Sequence, residues 1–211
     1  MKLFISRNLS SLGKLPEKLE SLGVSLNATS LIDFEPIPFK TPSQMTWIFF
    51  GSRNALQFYL EHSAIPSYVK VACVGSKTAE FLKSKYAISA DFIGKGTDPK
   101  AIGKDFSKIA SGITLFPQSN ISLRSIQKYL KDSEIIDLVI YKTISKAKVI
   151  EKQDKYFFTS PSNIDSYLEQ NQLDLDAKYF CLGSSTGQKL TSLNVSNIQT
   201  ISAISEILKF I

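Results

Sequence analysis

Short apolar runs alternate with longer amphipathic segments along most of this chain. The runs at 47–50 and 70–74 are continuously hydrophobic, which is typical of parallel strands covered on both faces. The same pattern predicts helices at 53–62, 77–85, 98–110 and 120–131, with further strands at 90–93, 113–116 and 135–141. A strand at 3–6 and a helix at 12–22 precede this block. The order indicates an α/β protein with parallel sheets.

The region 47–94 is repeated later in the chain. A shift of 108 positions aligns it with 155–202 without a gap, and 14 of the 48 residue pairs are identical. Ordinary composition would give roughly 3 identities. The pairs Cys73/Cys181 and Gly75/Gly183 are among them. We therefore interpret the chain as a duplicated α/β domain.

The second copy lacks its final strand, and the N-terminus supplies one. Placed residue by residue, Leu3–Asn8 corresponds to Leu115–Asn120. The predicted architecture is two similar flavodoxin-like or Rossmann-like lobes: a discontinuous lobe of 1–36 and 146–211, and an inserted lobe of 37–145. Two crossings, near 36–40 and 142–146, are expected to join the lobes as a flexible, extended double linker.

Four strand-to-helix turns in the two copies carry small polar residues. Each turn has one serine where an N-cap is expected, at positions 52, 76, 160 and 184. Pro161 suits a first helical position. Gly75 and Gly183 are expected to turn the backbone sharply and expose amides. Helix N-termini attract anions, so the turns predict an anion site. Its candidate residues are Ser52, Arg53, Asn54, Gly75, Ser76, Thr78, Ser160, Pro161, Ser162, Gly183, Ser184, Ser185 and Thr186. The alternative is that Ser and Gly simply make good connections.

Arginine is rare in this basic chain. The net charge is +6, and 25 − 3 = 22 of the basic residues are lysines. Arg7, Arg53 and Arg124 all lie near the carboxyl ends of predicted strands, where open α/β sheets bind ligands. Their planar fork suits carboxylates and phosphates, so we predict that they bind the ligand. The alternative is three unrelated surface arginines.

Composition and motifs argue against several classes of protein. No apolar run approaches the ~20 residues of a membrane span, and the N-terminal apolar stretch is too short for a signal peptide. There is no basic run for nucleic acid and no glycine fingerprint for a nucleotide. Cys73 and Cys181 are expected to be core residues of a reduced, cytoplasmic protein, and His62 a surface residue. We therefore expect no metal.

Six short motifs occur in order along nearly the whole chain: Arg7 after the first strand, Phe-Gly-Ser-Arg-Asn-Ala at 50–55, Val-Gly-Ser-Lys-Thr-Ala at 74–79, Val-Ile-Tyr-Lys-Thr at 139–143, Phe-Thr-Ser-Pro-Ser-Asn at 158–163, and Leu-Gly-Ser-Ser-Thr-Gly at 182–187. Their order, spacing and two-lobe layout resemble the uroporphyrinogen-III synthase family. The chain departs from that family at Gln118-Ser119-Asn120, where a more charged Arg-Gly-type turn is often seen. Gln118 remains a candidate ligand contact.

The resemblance implies a cofactor-free lyase of tetrapyrrole biosynthesis. Its substrate would be hydroxymethylbilane, a linear tetrapyrrole with eight carboxylates, and its product uroporphyrinogen III, formed with loss of water and inversion of ring D through a spiro intermediate. Amides, hydroxyls and a few arginines are an adequate set of donors for such a substrate. We expect a monomer whose substrate bridges the two lobes. The alternative from another class is a two-lobed protein that binds a small anion without chemistry.

Tyr141 is the candidate catalytic residue. It ends an apolar strand and matches the Val-Tyr-x-Thr position of the family that the chain resembles. A phenol can act as a general acid, so the resemblance predicts that Tyr141 protonates or hydrogen-bonds the departing hydroxyl. The alternative is a tyrosine that packs beside the linker with its hydroxyl in water.

Overall fold

The computed structural model describes residues 1–211 and contains two compact units. One, the terminal unit, comprises Met1–Asp33 and Ile144–Ile211. The other, the central unit, comprises Phe34–Thr143. None of the helices combines the length and the apolar character needed to cross a membrane.

Strands and helices alternate along the chain. The strands are β1 (Lys2–Ile5), β2 (Ser25–Ala28), β3 (Ile32–Pro36), β4 (Trp47–Phe50), β5 (Lys70–Cys73), β6 (Phe92–Ile93), β7 (Thr114–Ser119), β8 (Ile135–Ser145), β9 (Lys155–Phe158), β10 (Lys178–Leu182) and β11 (Ile198–Ile201). The α-helices are α1 (Leu15–Ser21), α2 (Arg53–Leu60), α3 (Ser76–Tyr86), α4 (Pro99–Ser107), α5 (Pro161–Leu168) and α6 (Ser184–Ser192). Short 3₁₀ segments occur at Leu9–Ser11, Gln127–Tyr129, Asp132–Glu134 and Ile204–Phe210.

Two sheets form the cores of the molecule. One has the strand order β11-β10-β9-β1-β2, and the other has the order β3-β8-β7-β4-β5-β6. The pairs from β11 to β2 and from β8 to β6 are parallel. The predicted α/β class with parallel sheets is therefore confirmed. The continuous apolar runs are explained by β4, in which Ile48 and Phe50 join one core cluster while Trp47 and Phe49 join another.

The duplication is visible in the elements themselves. Helices α2 and α5 begin 108 positions apart and end 108 positions apart, and so do β4 and β9. The order β8-β7-β4-β5-β6 matches β2-β1-β9-β10-β11 strand for strand. The sequence identities therefore mark equivalent positions in two copies of one fold.

The expected alignment of the N-terminal strand is one residue off. Leu3 lies opposite Lys155, whereas Thr114 lies opposite Trp47, which is the residue 108 positions before Lys155. Leu3 therefore corresponds to Thr114 and not to Leu115. The slip matters because successive side chains of a strand face opposite sides of the sheet.

Two further expectations need correction. The strand predicted at 135–141 is too short, because β8 continues to Ser145. The helix predicted at 120–131 does not form. Ser119 Oγ accepts a hydrogen bond from the Ile121 amide and Ser122 Oγ accepts one from the Arg124 amide, both at 3.3 Å. These side chains replace the helical bonds of the backbone, and Arg124 has a φ of 50°.

Gly94 allows a close approach behind the end of β5. A Cβ atom there would collide with the Val74 carbonyl oxygen and would lie 2.8 Å from a methyl carbon of Ile102. We predict that Gly94→Ala lowers the free energy of unfolding of the central unit by about 1–3 kcal/mol through overpacking. Trp47 is the only tryptophan and is buried in β4, so its fluorescence during urea unfolding reports this unit.

Gly51→Ala is the matched control for this prediction. A Cβ at Gly51 would meet no atom within 4 Å. We expect a change within about 0.5 kcal/mol. Equal unfolding midpoints for the two variants would show that the close approach at Gly94 is not needed.

Candidate functional site

A crevice opens in the central unit at the carboxyl ends of β4 and β7. From β4 the chain continues to β5 and β6 on one side, while β7 and β8 lie on the other side. Strand order thus reverses between β4 and β7, and open α/β sheets bind ligands at such reversal points. The crevice has a volume of about 200 Å³. Its walls include Gly51, Ser52, Ala55, Pro117, Gln118 and Tyr141.

Two of the four predicted serine N-caps are confirmed. Ser52 caps α2, and its Oγ accepts a hydrogen bond from the Ala55 amide at 3.1 Å. Ser160 caps α5 and accepts one from the Asn163 amide at 3.3 Å. Pro161 takes the first helical position, as predicted. The hydroxyls thereby satisfy amides that helix formation leaves unpaired.

The predicted caps at Ser76 and Ser184 are wrong. Gly75 and Gly183 are the N-cap residues, and the two serines begin α3 and α6. Gly183 has a φ of +78°, which glycine adopts without strain, in agreement with the predicted sharp turn. Gly75 has an extended φ of −174° that any residue adopts, so its turn does not depend on glycine.

A β-bulge brings Tyr141 to the crevice. Gln118 lies opposite Val139, but the next residue, Ser119, lies opposite Tyr141, so Ile140 is the extra residue. Bulges redirect side chains and are frequent beside active sites. Here the bulge lets Ile140 and Tyr141 join the same core cluster although they are adjacent in a strand.

The ring of Tyr141 is held firmly and its hydroxyl faces the crevice. The ring stacks on Phe58, with centroids 4.9 Å apart, and meets Phe34 edge-on at 5.8 Å. Its hydroxyl lies 3.5 Å from Ser52 Oγ. The tyrosine therefore belongs to a packed strand, and its hydroxyl neighbours the capping serine of α2.

At the equivalent position of the terminal unit, polar side chains form hydrogen bonds between the ends of neighbouring strands. Ser6 and Thr159 occupy the positions of Pro117 and Gly51. The Thr159 amide donates to Ser6 Oγ and Thr159 Oγ1 donates to the Ser6 carbonyl, both at 2.8 Å. Pro117 and Gly51 have no side-chain group that could form such bonds, and both line the crevice.

A third replacement has the same effect. Asn163 of α5 corresponds to Ala55 of α2. The Asn163 amide nitrogen donates to Ser160 Oγ at 2.9 Å, and its oxygen accepts from the Leu31 amide at 2.9 Å. Ala55 has no side-chain group that could form these bonds, and it lines the crevice. At three equivalent positions, then, the terminal unit carries hydrogen-bonded polar side chains where the central unit has residues that line the crevice.

Each of the three arginines has a partner within its own unit. Arg7 Nε donates to Ser11 Oγ at 3.0 Å. Arg53 Nε donates to the Lys77 carbonyl at 3.2 Å, and the guanidinium lies over a phenylalanine ring. Arg124 Nε lies 2.6 Å from Asp137 Oδ2. That the three arginines bind a ligand stays a prediction. For Arg124, the Asp137 carboxylate already occupies the Nε side of the guanidinium.

The remaining predicted residues divide by exposure. Thr78 and Thr186 are buried, and Thr186 Oγ1 donates to the Leu182 carbonyl at 3.0 Å, so these hydroxyls do not face solvent. The others are open at helix starts: Ser76, Ser184 and Ser185 are exposed, and Asn54 and Ser162 are half-buried. Their contacts with a ligand also stay predictions.

Sequence reasoning missed a second cavity beside the crevice. It has a volume of about 220 Å³ and is bounded by the loop 122–127, where the apolar spacing predicts a helix. We call it the loop cavity. Gln118, Gly51 and Pro117 line both cavities, and the buried Gln127 lines the loop cavity. The burial of Gln127 is visible only in the structure, and the helical spacing of the apolar residues in this segment gave no sign of a cavity.

Thiol and metal chemistry find no support in this site. Burial raises the pKa of the Cys73 thiol to about 12 and also raises the pKa of Cys181. Both thiols are therefore protonated at neutral pH, as expected for core residues. The structure contains no group of three or more His, Cys, Asp or Glu side chains placed to hold a metal ion.

Comparison with known proteins supplies the family. The family model for uroporphyrinogen-III synthase HemD matches residues 13–203. The fold is similar to uroporphyrinogen-III synthetase from Helicobacter pylori 26695, with a TM-score of 0.71, 15% identity, and coverage of 99% of this chain and 97% of that one. It is also similar to a mutant uroporphyrinogen III synthase from the extremely thermophilic bacterium Thermus thermophilus, with a TM-score of 0.69, 13% identity, and coverage of 100% and 96%. At such low identities, the two solved structures show likeness of fold only. The family model, in contrast, matches most of the sequence. The chain belongs to the uroporphyrinogen-III synthase family.

Proposed function

We propose that this protein converts hydroxymethylbilane to uroporphyrinogen III, and that the crevice of the central unit binds part of the substrate next to the reacting carbon. Family membership supports the reaction. The observation that carries the location is the open crevice at the β4/β7 reversal point, set against the hydrogen-bonded polar side chains at the equivalent positions of the terminal unit.

The crevice offers neutral hydrogen-bond donors to an anionic substrate. Hydroxyls of Ser52 and Tyr141 and the side-chain amide of Gln118 lie around it, at the N-terminal end of α2. Donors of this kind, together with a helix dipole, bind carboxylates without a metal ion.

The chemistry needs acid assistance and control of conformation. In the proposed reaction, loss of the terminal hydroxyl as water leaves an azafulvene cation. The substituted carbon of ring D attacks this cation, and the resulting spiro intermediate fragments and recloses with ring D inverted. We propose that the Tyr141 hydroxyl, which lies 3.5 Å from Ser52 Oγ, donates a hydrogen bond to the departing oxygen. The remainder of the rate acceleration is attributed to holding the linear tetrapyrrole in a conformation in which ring D reaches the cation.

Arg53 is proposed to bind a substrate carboxylate at the rim. Its Nε is engaged by the Lys77 carbonyl, which fixes the fork while the other nitrogens stay open. We predict that Arg53→Lys raises KM about two- to fivefold with kcat unchanged, because an exposed ion pair contributes under about 1 kcal/mol and lysine loses the fork geometry. Steady-state kinetics measures both constants. An unchanged KM would remove Arg53 from the substrate contacts.

The decisive test is the isomer of the product. Hydroxymethylbilane is generated enzymatically, the purified protein is added or omitted, and the oxidised porphyrins are separated chromatographically. We expect the III isomer with the protein and the uninverted isomer without it. The uninverted isomer in both samples, together with saturable binding of the substrate, would favour the binding-protein alternative.

We further propose that the enzyme acts as a cytoplasmic monomer. The buried, unpaired Cys73 and Cys181 support a reducing compartment. Light scattering across a tenfold range of protein concentration tests the monomeric state, and a mass that rises with concentration would contradict it.

A further inference from the structure

Gln118 stands where the crevice and the loop cavity meet, and a relay of side chains determines which of its amide atoms faces them. Gln118 Oε1 accepts a hydrogen bond from Gln127 Nε2 at 3.0 Å. Gln127 Nε2 also donates to Asp137 Oδ1 at 2.9 Å. Gln127 is only 6% exposed, so this geometry is held inside the protein.

The carboxylate removes the ambiguity of the two glutamine amides. An ionised carboxylate only accepts hydrogen bonds, so the Gln127 atom beside Asp137 must be the nitrogen. Its second N–H then points to Gln118, whose facing atom must be the oxygen. The Gln118 nitrogen is therefore turned away from Gln127. It has no hydrogen-bond partner in the protein and is not among the buried unpaired atoms.

Arg124 completes the relay at its far end. Its Nε lies 2.6 Å from Asp137 Oδ2, the oxygen that Gln127 leaves free. A guanidinium only donates hydrogen bonds, so donors hold Asp137 at both of its oxygens, Arg124 at one and Gln127 at the other. Arg124 thus helps to fix the carboxylate that orients Gln127 toward Gln118.

We infer that Asp137 and Gln127 are positioning residues that fix Gln118 as a hydrogen-bond donor to a carboxylate of the ligand. The identification of that carboxylate with a side chain of hydroxymethylbilane rests on the proposed function. In this proposal both residues act through Gln118. Gln118 occupies the position that Arg7 takes in the terminal unit, so a neutral donor stands here in place of a charged one.

An isosteric change reverses the atom that the cavities see. In Gln118→Glu, Gln127 can still donate to one carboxylate oxygen, so the relay and the fold are kept. The other atom changes from a donor to a negatively charged acceptor. We expect KM for hydroxymethylbilane, and Kd for uroporphyrin III as a stable octacarboxylate probe, to rise about 10- to 100-fold with kcat changed less than threefold.

A double-mutant cycle separates positioning from simple bracing of the loop. We expect Gln127→Met to raise the Kd for uroporphyrin III about three- to tenfold when Gln118 is present, and to have no added effect when Gln118 is Met. Gln153→Met is the matched control, because Gln153 is an equally buried glutamine of the terminal unit that donates to the Glu151 carbonyl at 2.9 Å. Its Kd should equal that of the unaltered protein.

The outcomes distinguish this inference from the proposed function. Effects of Gln127→Met and Gln118→Met that simply add, or a Gln118→Glu variant with unchanged Kd and KM, would overturn the relay even if the III isomer is formed. Coupling in the cycle with no III isomer from the unaltered protein would support the relay and overturn the function.

Discussion

Closing the crevice with the side chains of the terminal unit is expected to lower kcat/KM by about 100-fold or more. The variant combines Gly51→Thr with Ala55→Asn, which copies Thr159 and Asn163 to their equivalent positions. The new side chains would fill the volume beside the capping serine of α2, where we place part of the substrate. A displacement of about 1 Å in a reacting group can cost about 100-fold in rate.

Stability and a smaller substitution are the controls for this variant. Urea unfolding followed by Trp47 fluorescence should show that the central unit remains folded, since both new residues occur at these positions in the other copy. Gly51→Ala adds one carbon atom that meets no neighbour within 4 Å, and should retain activity within about threefold. A folded double variant with nearly full activity would move the substrate out of the crevice.

Local rules of sequence explain why the frame was predictable. Ser52 and Ser160 cap equivalent helices in the two copies, because each side chain accepts a hydrogen bond from an amide that the helix leaves free. The shift of 108 positions then carries the strand and helix bounds from one copy to the other. Buried parallel strands also leave an unmistakable continuous apolar run.

Register was beyond the reach of the sequence. The bulge that inserts Ile140 opposite the β7 end depends on hydrogen bonds between strands that are about 20 residues apart. The one-residue slip of Leu3 against the expected alignment has the same origin, because hydrophobic residues occupy both faces of β1 and so do not specify which face is which. Both the bulge and the register of β1 therefore depend on the pairing between strands, which the order of residues along one strand does not specify.

The prediction of a helix at 120–131 was wrong for a different reason. The apolar spacing of this segment fits a helix, yet Ser119 and Ser122 accept hydrogen bonds from nearby amides and give the backbone another stable conformation. The contrast between the open crevice and the hydrogen-bonded equivalent positions of the terminal unit was also hidden. It requires knowing that Thr159 contacts Ser6, which lies 153 positions away along the chain.

Tyr141→Phe is expected to lower kcat tenfold or more with little change in KM. Phenylalanine keeps the stacking on Phe58 and the edge contact with Phe34, so only the hydroxyl is lost. Ser52 still accepts its hydrogen bond from the Ala55 amide, and no buried polar group loses its only partner. General acid catalysis by a positioned side chain typically contributes ~10²–10⁴-fold. A drop confined to kcat indicates an interaction made in the transition state.

Tyr59→Phe is the matched control. Tyr59 belongs to the same unit and is fully buried. Its hydroxyl donates a hydrogen bond to Thr41 Oγ1, with 3.4 Å between the two oxygens, and Tyr59 is not among the residues that line the crevice. The variant should keep kcat and KM within about twofold, while its free energy of unfolding falls by a hydrogen bond's contribution of about 1 kcal/mol. Equal kcat values for the two variants would leave Tyr141 as a packing residue. The departing hydroxyl would then draw its proton from a protonated carboxyl group of the substrate, and catalysis would depend on backbone amides and on the conformation imposed on the ligand.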